Sequence, residues 1–371
     1  MIIFLNFAPI DFMGGAEKLM LELAAATNRK EEVIIVDVSP KISNLYGRLV
    51  LKRTFDDHIQ DHNLKKLRHI SLTYRDFIPF TKNWFKIRKI FKNAKICYVR
   101  YEFPEIALSL FYGGKQSLSK IIGALILTPY YESPRGFIDR IHNFLYGPFL
   151  YGPLIRSTKK VHVLNKRDKK LLEKRYHAKK VHFLPVGINF SIFKVQKHKN
   201  NFNYLNIIYV GELSTRKGVD IICEVIEKCP PVFNFHIIGD GPLKSRVIEN
   251  EKQRKCKYYG YINMQELHQI YSNCDVLLFP SRAEAFGIVM AEAMAFGLKI
   301  VNSAEVSLNL PSFIETTVSD RNIQSYISEL ETIYIEKQNS KIDREKIINF
   351  AKENYSAEKI NSQFVTNIIG I

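Results

Sequence analysis

Several features are scarce in this sequence of 371 residues, and each scarcity excludes a class of protein. The five cysteines are scattered and show neither metal-ligand spacing nor a disulfide framework, which indicates a reducing compartment. The longest apolar run, residues 121–127, is too short to cross a bilayer. The chain begins directly with an apolar strand over residues 2–7, so we expect no signal peptide. These absences favour a cytoplasmic protein, with a peripheral position on the inner face of the membrane as a further option.

The segments that are present alternate regularly between strand-like and helix-like patterns. This alternation predicts an α/β fold with parallel sheets and helices on both faces. The length is sufficient for two domains of ordinary size. A polar stretch over residues 194–204 is typical of a linker. We therefore predict one domain over residues 1–195 and a second over residues 204–353.

The most informative stretch holds two glutamates, Glu284 and Glu292, eight positions apart. An apolar strand over residues 275–279 precedes Glu284, which falls where open α/β sheets place their ligands. A helix is predicted to begin near Gly287, with Glu292 about a turn and a half into it. The free N–H groups at this helix start, from Phe286, Gly287 and Ile288, suit an anion. A sugar nucleotide requires hydrogen-bond acceptors for its hydroxyls beside backbone N–H donors for its phosphates, and these residues supply both.

Two adjacent cations, Arg216 and Lys217, lie in a loop that follows the predicted strand over residues 206–210. An arginine fork fits two phosphate oxygens and a lysine adds a point charge, so these residues could stabilise a departing nucleoside diphosphate. The sequence contains no Asp-x-Asp triplet, the usual handle for a divalent ion on a sugar nucleotide. We therefore expect no metal. The alternative is a basic loop that only contacts solvent.

Glycine-rich turns follow other predicted strands and are candidates for close backbone approach to a ligand. Gly211 ends one strand, and Gly239 opens the segment Gly-Asp-Gly-Pro-Leu after another. Near the amino terminus, Gly14 and Gly15 precede a helix predicted over residues 18–26. For each turn the alternative is a tight strand-to-helix connection without ligand contact.

These motifs together resemble the donor site of family 4 retaining glycosyltransferases, the glycosyl transferases group 1. The resemblance is carried by Glu-x7-Glu with Phe-Gly inside it, by the preceding Pro-Ser and by Gly-x-Gly-Pro-Leu. It implies the GT-B fold, in which two Rossmann-like domains have parallel sheets facing a central cleft. It also implies that a C-terminal helix, about residues 354–371, packs back on the first domain. No metal or other cofactor is implied.

The resemblance also implies roles for individual residues. The catalytic group would be Glu284, Arg216 and Lys217. The donor-binding group would be Gly14, Gly15, Gly211, Gly239, Ile262, Phe286, Gly287, Ile288 and Glu292.

The sequence departs from the family pattern at two places. Many relatives have an arginine where this chain has Glu212, and Arg216 is its expected replacement. Relatives also commonly carry a histidine in the region here formed by residues 128–134, which contains none. Tyr130, Tyr131 and Glu132 are the acceptor-side candidates for that space.

Charge is divided unevenly along the chain. Residues 1–196 hold 34 basic and 16 acidic side chains, whereas residues 197–371 hold 20 and 21. The basic excess lies in the predicted acceptor domain and suggests a lipid-linked or other anionic acceptor, or an anionic membrane surface. Phe80, Trp84, Ile87 and Phe91 recur at helical spacing between basic residues, which fits either a helix on a membrane or a helix packed on the sheet. No nucleic-acid-binding motif is present, so we expect no nucleic acid partner.

The resulting hypothesis is a metal-independent hexosyltransferase, an enzyme of the EC 2.4 type. It would move a hexose from a UDP- or GDP-sugar to a hydroxyl of an acceptor with retention of configuration. One alternative is a sugar-nucleotide epimerase or hydrolase on the same fold. Another is a sugar-nucleotide-binding protein that has lost turnover, which the missing histidine and Glu212 would explain.

Overall fold

The computed structural model describes residues 1–7, 15–38, 67–100, 103–125, 137–193, 202–253, 255–284 and 286–371. The chain divides into two compact units. The first comprises residues 1–186 and 358–371, and the second comprises residues 187–357. The sequence-based boundaries were set at residues 195, 204 and 354.

The first unit is built on a seven-stranded parallel sheet with the strand order β3-β2-β1-β4-β5-β6-β7. Its strands are β1 (Ile2–Leu5), β2 (Val33–Val38), β3 (Arg68–Leu72), β4 (Ile96–Val99), β5 (Ile121–Leu125), β6 (Lys160–Val163) and β7 (Val181–Phe183). Its helices include α1 (Gly15–Asn28), α2 (Lys82–Asn93), α3 (Phe103–Gly113), α4 (Phe137–Leu145), α5 (Tyr151–Ser157) and α6 (Lys166–Arg175). Short 3-10 helices cover Tyr74–Phe77 and Lys115–Lys120.

Helix α2 packs on this sheet through one side. Its residues Trp84, Ile87 and Phe91 are buried in the hydrophobic core of the first unit. Burial of these three side chains agrees with the reading of α2 as a helix packed on the sheet. The fourth member of the predicted apolar stripe, Phe80, precedes the helix and is exposed.

The C-terminal residues of the chain belong to the first unit. A π-helix over Phe364–Ile369 follows α13 (Ala357–Gln363). The Phe364 ring packs edge-on against Tyr98 on β4, with 5.1 Å between ring centroids. Tyr98 in turn shares a 2.9 Å hydrogen bond with His162 Nδ1 on β6. Burial lowers the pKa of His162 to about 4, so this histidine is a neutral core residue.

The second unit is built on a six-stranded parallel sheet with the order β10-β9-β8-β11-β12-β13. Its strands are β8 (Leu205–Val210), β9 (Phe233–Ile238), β10 (Cys256–Gly260), β11 (Val276–Phe279), β12 (Lys299–Ser303) and β13 (Glu315–Val318). Its helices include α7 (Val219–Lys228), α8 (Lys244–Lys252), α9 (Met264–Asn273), α10 (Ile288–Ala295), α11 (Ile323–Gln338) and α12 (Arg344–Tyr355). Short 3-10 helices cover Phe190–Ile192, Thr215–Lys217 and Ala304–Val306.

A buried ionic cluster fixes the amino ends of the central strands of this sheet. The carboxylate of Asp275, just before β11, accepts from Lys337 Nζ at 2.7 Å and from Arg344 Nη2 at 3.1 Å. It also accepts from the backbone N–H of Asn206 on β8 at 2.9 Å. Because this one carboxylate is hydrogen-bonded to a cation from each of two helices, the cluster ties α11 and α12 to the sheet.

All five cysteines are free thiols. Burial raises the pKa of Cys229 to about 11 and that of Cys97 to about 12. The reactive thiolate is therefore scarce near neutral pH, and these residues act as small apolar side chains.

Candidate functional site

The carboxyl ends of β8 and β9 approach each other through glycine backbone. Gly211 N–H donates to the carbonyl of Ile238 at 3.0 Å, and Gly239 N–H donates to the carbonyl of Gly260 at 2.9 Å. Gly239 has a φ of +131°, and a Cβ atom at this position would collide with the carbonyl oxygen of Gly211. Two predicted site residues thus lie against one another because Gly239 carries no side chain.

The same packing continues into the loops beyond these strands. Leu213 N–H donates to the carbonyl of Asp240 at 2.9 Å, and Leu243 N–H donates to the carbonyl of Leu213 at 2.8 Å. A Cβ atom on Gly241 would lie 2.7 Å from both the nitrogen and the oxygen of Leu213. The β8 and β9 loops therefore form one backbone-bonded surface at this edge of the sheet.

The two predicted cations lie in the 3-10 helix Thr215–Lys217, which ends at Gly218. Gly218 has a left-handed backbone with a φ of +74°, and a Cβ atom there would collide with the carbonyl oxygen of Pro280. The backbone N–H of Arg282 donates to the Arg216 carbonyl at 2.9 Å. These contacts bring the loop after β8 against the loop after β11.

An ion pair that the sequence analysis missed holds the two loops together. The Arg282 guanidinium binds Asp220 on α7 through both nitrogens, each at 2.6 Å from a carboxylate oxygen. Arg282 also donates to the Thr215 carbonyl. Such bidentate geometry is strong and directional. The only sequence signal was the position of Arg282 directly after Pro-Ser, and its carboxylate partner is 62 positions away.

The consequence of this arrangement is that Lys217 and Glu284 meet. The Lys217 ammonium forms a salt bridge with Glu284 Oε1, and each side chain is 16% exposed. The pKa of Lys217 is lowered to about 7, mainly by burial and to a smaller extent by the charge of Arg216, while Glu212 opposes this lowering. The contact with Glu284 also favours the charged form. Lys217 is thus a cation whose charge depends on a neighbouring anion.

Arg216 occupies a more open position beside Glu212. Its Nη2 atom lies 3.0 Å from Glu212 Oε2, and the hydroxyl of Ser214 donates to the same oxygen at 3.3 Å. Both charged side chains are about half exposed. Glu212, which stands where many relatives have an arginine, therefore contacts Arg216, the expected replacement for that arginine.

Helix α10 presents the remaining predicted residues of this region. Gly287 is its N-cap, with a left-handed φ of +68°, and Ile288 is its first residue. The preceding Phe286 is buried, with its ring 5.7 Å from that of Tyr355. Glu292, half-buried on α10, accepts from the Tyr271 hydroxyl at 3.4 Å. Burial raises the pKa of Tyr271 well above its usual range, so this hydroxyl remains a donor.

The other predicted residues divide between the two units. Ile262 follows β10 in the second unit and is half-buried. Gly15 is the first residue of α1 in the first unit. Gly14, Tyr130, Tyr131 and Glu132 lie outside the described residues.

Chemically, this edge of the second sheet offers two cations and one carboxylate on loops, and a second carboxylate on helix α10. The cations Arg216 and Lys217 can each exchange a carboxylate partner for a phosphate oxygen. The carboxylates Glu284 and Glu292 can accept hydrogen bonds from hydroxyl groups.

The second unit also matches a known protein family. The family model described as Glycosyl transferases group 1 matches residues 191–354. This segment is similar to the glycosyl transferases group 1. It includes both cations, both carboxylates and the glycine turns at Gly211 and Gly239. The sequence-based recognition of the group is thereby confirmed for this segment.

Curated relatives match part of the chain at modest identity. The "Uncharacterized 41.2 kDa protein in cps region" of Klebsiella pneumoniae is 35% identical over 116 residues, which is 31% of this chain and 30% of the relative. The sulfoquinovosyl transferase SQD2 of Arabidopsis thaliana is 33% identical over 95 residues, or 26% of this chain and 18% of the relative. The chain thus spans less than a third of the length of each of these two relatives.

Solved structures match over the full length. The Anabaena protein Alr3699/HepE, crystallised in complex with UDP, has a TM-score of 0.75 and 14% identity, with all of both chains covered. Its complex with UDP-glucose has a TM-score of 0.72 and 15% identity, with 100% of this chain and 99% of that chain covered. At this identity the likeness establishes the fold, which is that of the GT-B glycosyltransferases. The predicted fold class of two parallel-sheet, Rossmann-like domains is confirmed.

The contact at Gly218 leads to a stability prediction. We expect Gly218→Ala to lose about 1–2 kcal/mol for the left-handed backbone and a further ~1–3 kcal/mol for the collision with Pro280. Gly260→Ala is the matched control, because Gly260 has a similar φ of +65° and its nearest neighbour would be the Tyr258 hydroxyl at 3.7 Å. Urea unfolding followed by circular dichroism measures the difference. Equal losses in the two variants would contradict the packing described here.

Proposed function

We propose that the protein is a glycosyltransferase that moves a hexose from a UDP- or GDP-sugar to an acceptor hydroxyl with retention of configuration, as in family 4. The observation that carries the proposal is the Lys217–Glu284 contact within the group 1 segment. At this contact, a cation that can bind a phosphate oxygen lies beside a carboxylate that can accept a hydrogen bond from a sugar hydroxyl. The complexes of Alr3699/HepE with UDP and UDP-glucose support the class of donor.

In this proposal the cations stabilise the leaving diphosphate. As the bond between the anomeric carbon and the diphosphate oxygen breaks, negative charge grows on the diphosphate. Lys217 and Arg216 offset that charge, and groups aimed at developing charge contribute most to catalysis. The backbone N–H groups near Gly287 at the start of α10 add dipoles favourable to an anion.

The carboxylates take the hydroxyl groups of the donor. Glu292 accepts from the ribose hydroxyls, while the Tyr271 hydroxyl fixes its orientation. Glu284 accepts from the sugar hydroxyls and stabilises positive charge at the anomeric carbon. The acceptor oxygen then bonds to that carbon on the face that the diphosphate leaves, and its proton passes to the leaving phosphate oxygen.

Metal independence is part of the proposal. Two side-chain cations can supply the charge that a divalent ion supplies elsewhere, and Arg282 holds their loop in place through Asp220. Turnover should therefore persist in the presence of a chelator.

The acceptor would bind the basic first unit, as a lipid-linked or other anionic glycan. A sugar-nucleotide epimerase or hydrolase would need no such acceptor, and a binding protein would show no turnover. The basic excess in residues 1–196 favours transfer to an anionic acceptor over these alternatives.

The decisive experiment incubates the protein with a panel of UDP- and GDP-sugars, with EDTA present, with and without anionic lipid acceptors. We expect slow hydrolysis of one donor alone and faster release of its nucleotide with an acceptor. Lys217→Ala and Glu284→Gln should each lower kcat by ~100-fold or more, because each removes a transition-state interaction. Released UDP or GDP is measured by a coupled assay.

Lys228→Ala is the matched control, since Lys228 is an exposed lysine on α7. Circular dichroism verifies that each variant folds. Full activity in both site variants would contradict the roles assigned to Lys217 and Glu284. Wild-type activity that is present without EDTA and lost with it would contradict metal independence. Donor binding without turnover under any acceptor would favour the binding protein.

The lowered pKa of Lys217 predicts a pH-dependent affinity. The diphosphate binds the protonated amine, so binding should take up protons above pH ~7, and affinity should fall as pH rises toward 9. Lys217→Arg should remove this dependence, because a guanidinium stays charged across the range. Calorimetry in buffers of different ionisation enthalpy measures the proton uptake. A wild-type affinity that is flat with pH would contradict the prediction.

Glu212 predicts a gain of function. Its carboxylate competes with a diphosphate for Arg216, so Glu212→Gln should tighten UDP binding by about two- to fivefold, as expected for an exposed ion pair. Calorimetric Kd values measure the effect. Glu224→Gln is the control for removal of one exposed carboxylate from this unit, and it should leave the Kd unchanged. If Glu212→Gln also tightens UDP binding when it is added to Arg216→Ala, the effect does not pass through Arg216, and competition for Arg216 is excluded.

A further inference from the structure

The outer side of α2 combines aromatic and basic residues. While Trp84, Ile87 and Phe91 face the core, the opposite stripe at i, i+3, i+4 and i+7 consists of Lys82, Phe85, Lys86 and Lys89, all exposed. Phe85 is 53% exposed although it lies one residue from a buried tryptophan. A helix of a globular protein normally keeps such a side chain off its polar face.

Phe85 is part of a continuous exposed surface around one buried ring. The rings of Phe80, Phe85 and Phe111 lie 5.5, 5.1 and 6.2 Å from that of Trp84, centroid to centroid. These phenylalanines are 80%, 53% and 38% exposed, and the neighbouring Ile78 is 54% exposed. We call the set Ile78, Phe80, Phe85, Phe111, Lys82, Lys86 and Lys89 the aromatic–lysine patch.

The loop that carries Phe80 is held firmly in its exposed position. Phe80 has a left-handed backbone with a φ of +65°, which is unfavourable for a residue with a side chain. The next residue, Thr81, donates to the Ile78 carbonyl at 3.0 Å and accepts from the Trp84 N–H at 3.2 Å. Strain of this kind persists where the surroundings impose it and is concentrated at functional positions.

The charge around these rings has one sign. Helix α2 contains five basic residues and no acid. One of them, Arg88, stacks over Trp84 at 4.8 Å and donates to the Tyr112 carbonyl, so it supports the ring from within. The acid that precedes the helix most closely in the sequence is Asp76, in the 3-10 helix Tyr74–Phe77, and its carboxylate accepts from the Thr73 hydroxyl. Within the ranges that the structure describes, no helix is long and apolar enough to cross a membrane.

We propose that the aromatic–lysine patch docks on the surface of an anionic phospholipid bilayer. The phenylalanines and Ile78 enter the boundary between headgroups and acyl chains, and the lysines contact lipid phosphates. A second copy of the chain would bring like charges together at the same patch. A nucleic acid could stack on the rings but would leave Ile78 in water. The inference is independent of the proposed transfer reaction, because it requires no nucleotide sugar.

The single tryptophan of the chain, Trp84, supplies a direct readout at the centre of the patch. The wild-type protein is titrated with vesicles of phosphatidylcholine, with and without phosphatidylglycerol, and with bromine-labelled acyl chains. We expect Trp84 emission to be quenched by the brominated anionic vesicles and to be unaffected by neutral ones at the same lipid concentration. An absence of quenching by anionic vesicles overturns the proposal.

Sedimentation with the same vesicles tests the individual residues. Phe80→Ser with Phe85→Ser should weaken binding about tenfold or more, and Lys86→Gln with Lys89→Gln should weaken it by a similar factor at low salt. Phe202→Ser and the pair Lys228→Gln with Lys252→Gln are the controls, since these residues are exposed in the second unit.

If the patch variants bind the vesicles as tightly as the wild-type protein does, the membrane contact lies elsewhere and the proposal is overturned. A patch-dependent self-association without lipid, or patch-dependent binding of an oligonucleotide with no vesicle binding, would likewise overturn it. Nucleotide binding by the lipid-binding variants is measured alongside, so that failure of this inference and failure of the transferase proposal remain distinguishable.

Discussion

The candidate site depends on the close approach of backbone to backbone at Gly211 and Gly239. No side chain fits between these two glycines, so the loops after β8 and β9 can share hydrogen bonds and form one surface. A similar approach of Gly218 to Pro280 brings the loop after β8 against the loop after β11. Charged side chains that are distant in sequence meet because glycine removes the atoms that would separate them.

The charges gathered by this packing are matched before any substrate is present. Lys217 contacts Glu284, Arg216 contacts Glu212, and Arg282 contacts Asp220. A buried or half-buried charge without a counter-ion would be costly, so each pair offsets the cost of placing its partner's charge here. A ligand with both a diphosphate and sugar hydroxyls can replace the Lys217–Glu284 contact, because the diphosphate compensates the lysine and the hydroxyls donate hydrogen bonds to the carboxylate. A simple phosphate could satisfy Lys217 but would leave Glu284 alone.

Much of this site could be anticipated from the sequence because it lies on local patterns. A strand followed by Pro-Ser, a glutamate and a small-residue helix fixes where Glu284 falls relative to β11 and α10. The same reasoning could not predict the Arg282–Asp220 pair, since it depends on how two loops pack. The helical spacing groups Phe80 with Trp84, Ile87 and Phe91. It does not show that Phe80 lies before the first residue of α2 and is exposed to water. Long-range packing and the direction of a side chain at a helix boundary are three-dimensional properties.

The left-handed backbone of Phe80 has a consequence for evolution in the laboratory. Glycine or asparagine would adopt this conformation at a lower cost, and removal of a large ring from water contact would aid solubility. Selection for thermal tolerance alone should therefore discard the phenylalanine. If the phenylalanine is retained under such selection, the position is constrained by something other than folding. The residue thus offers a way to separate selection for stability from selection for surface binding.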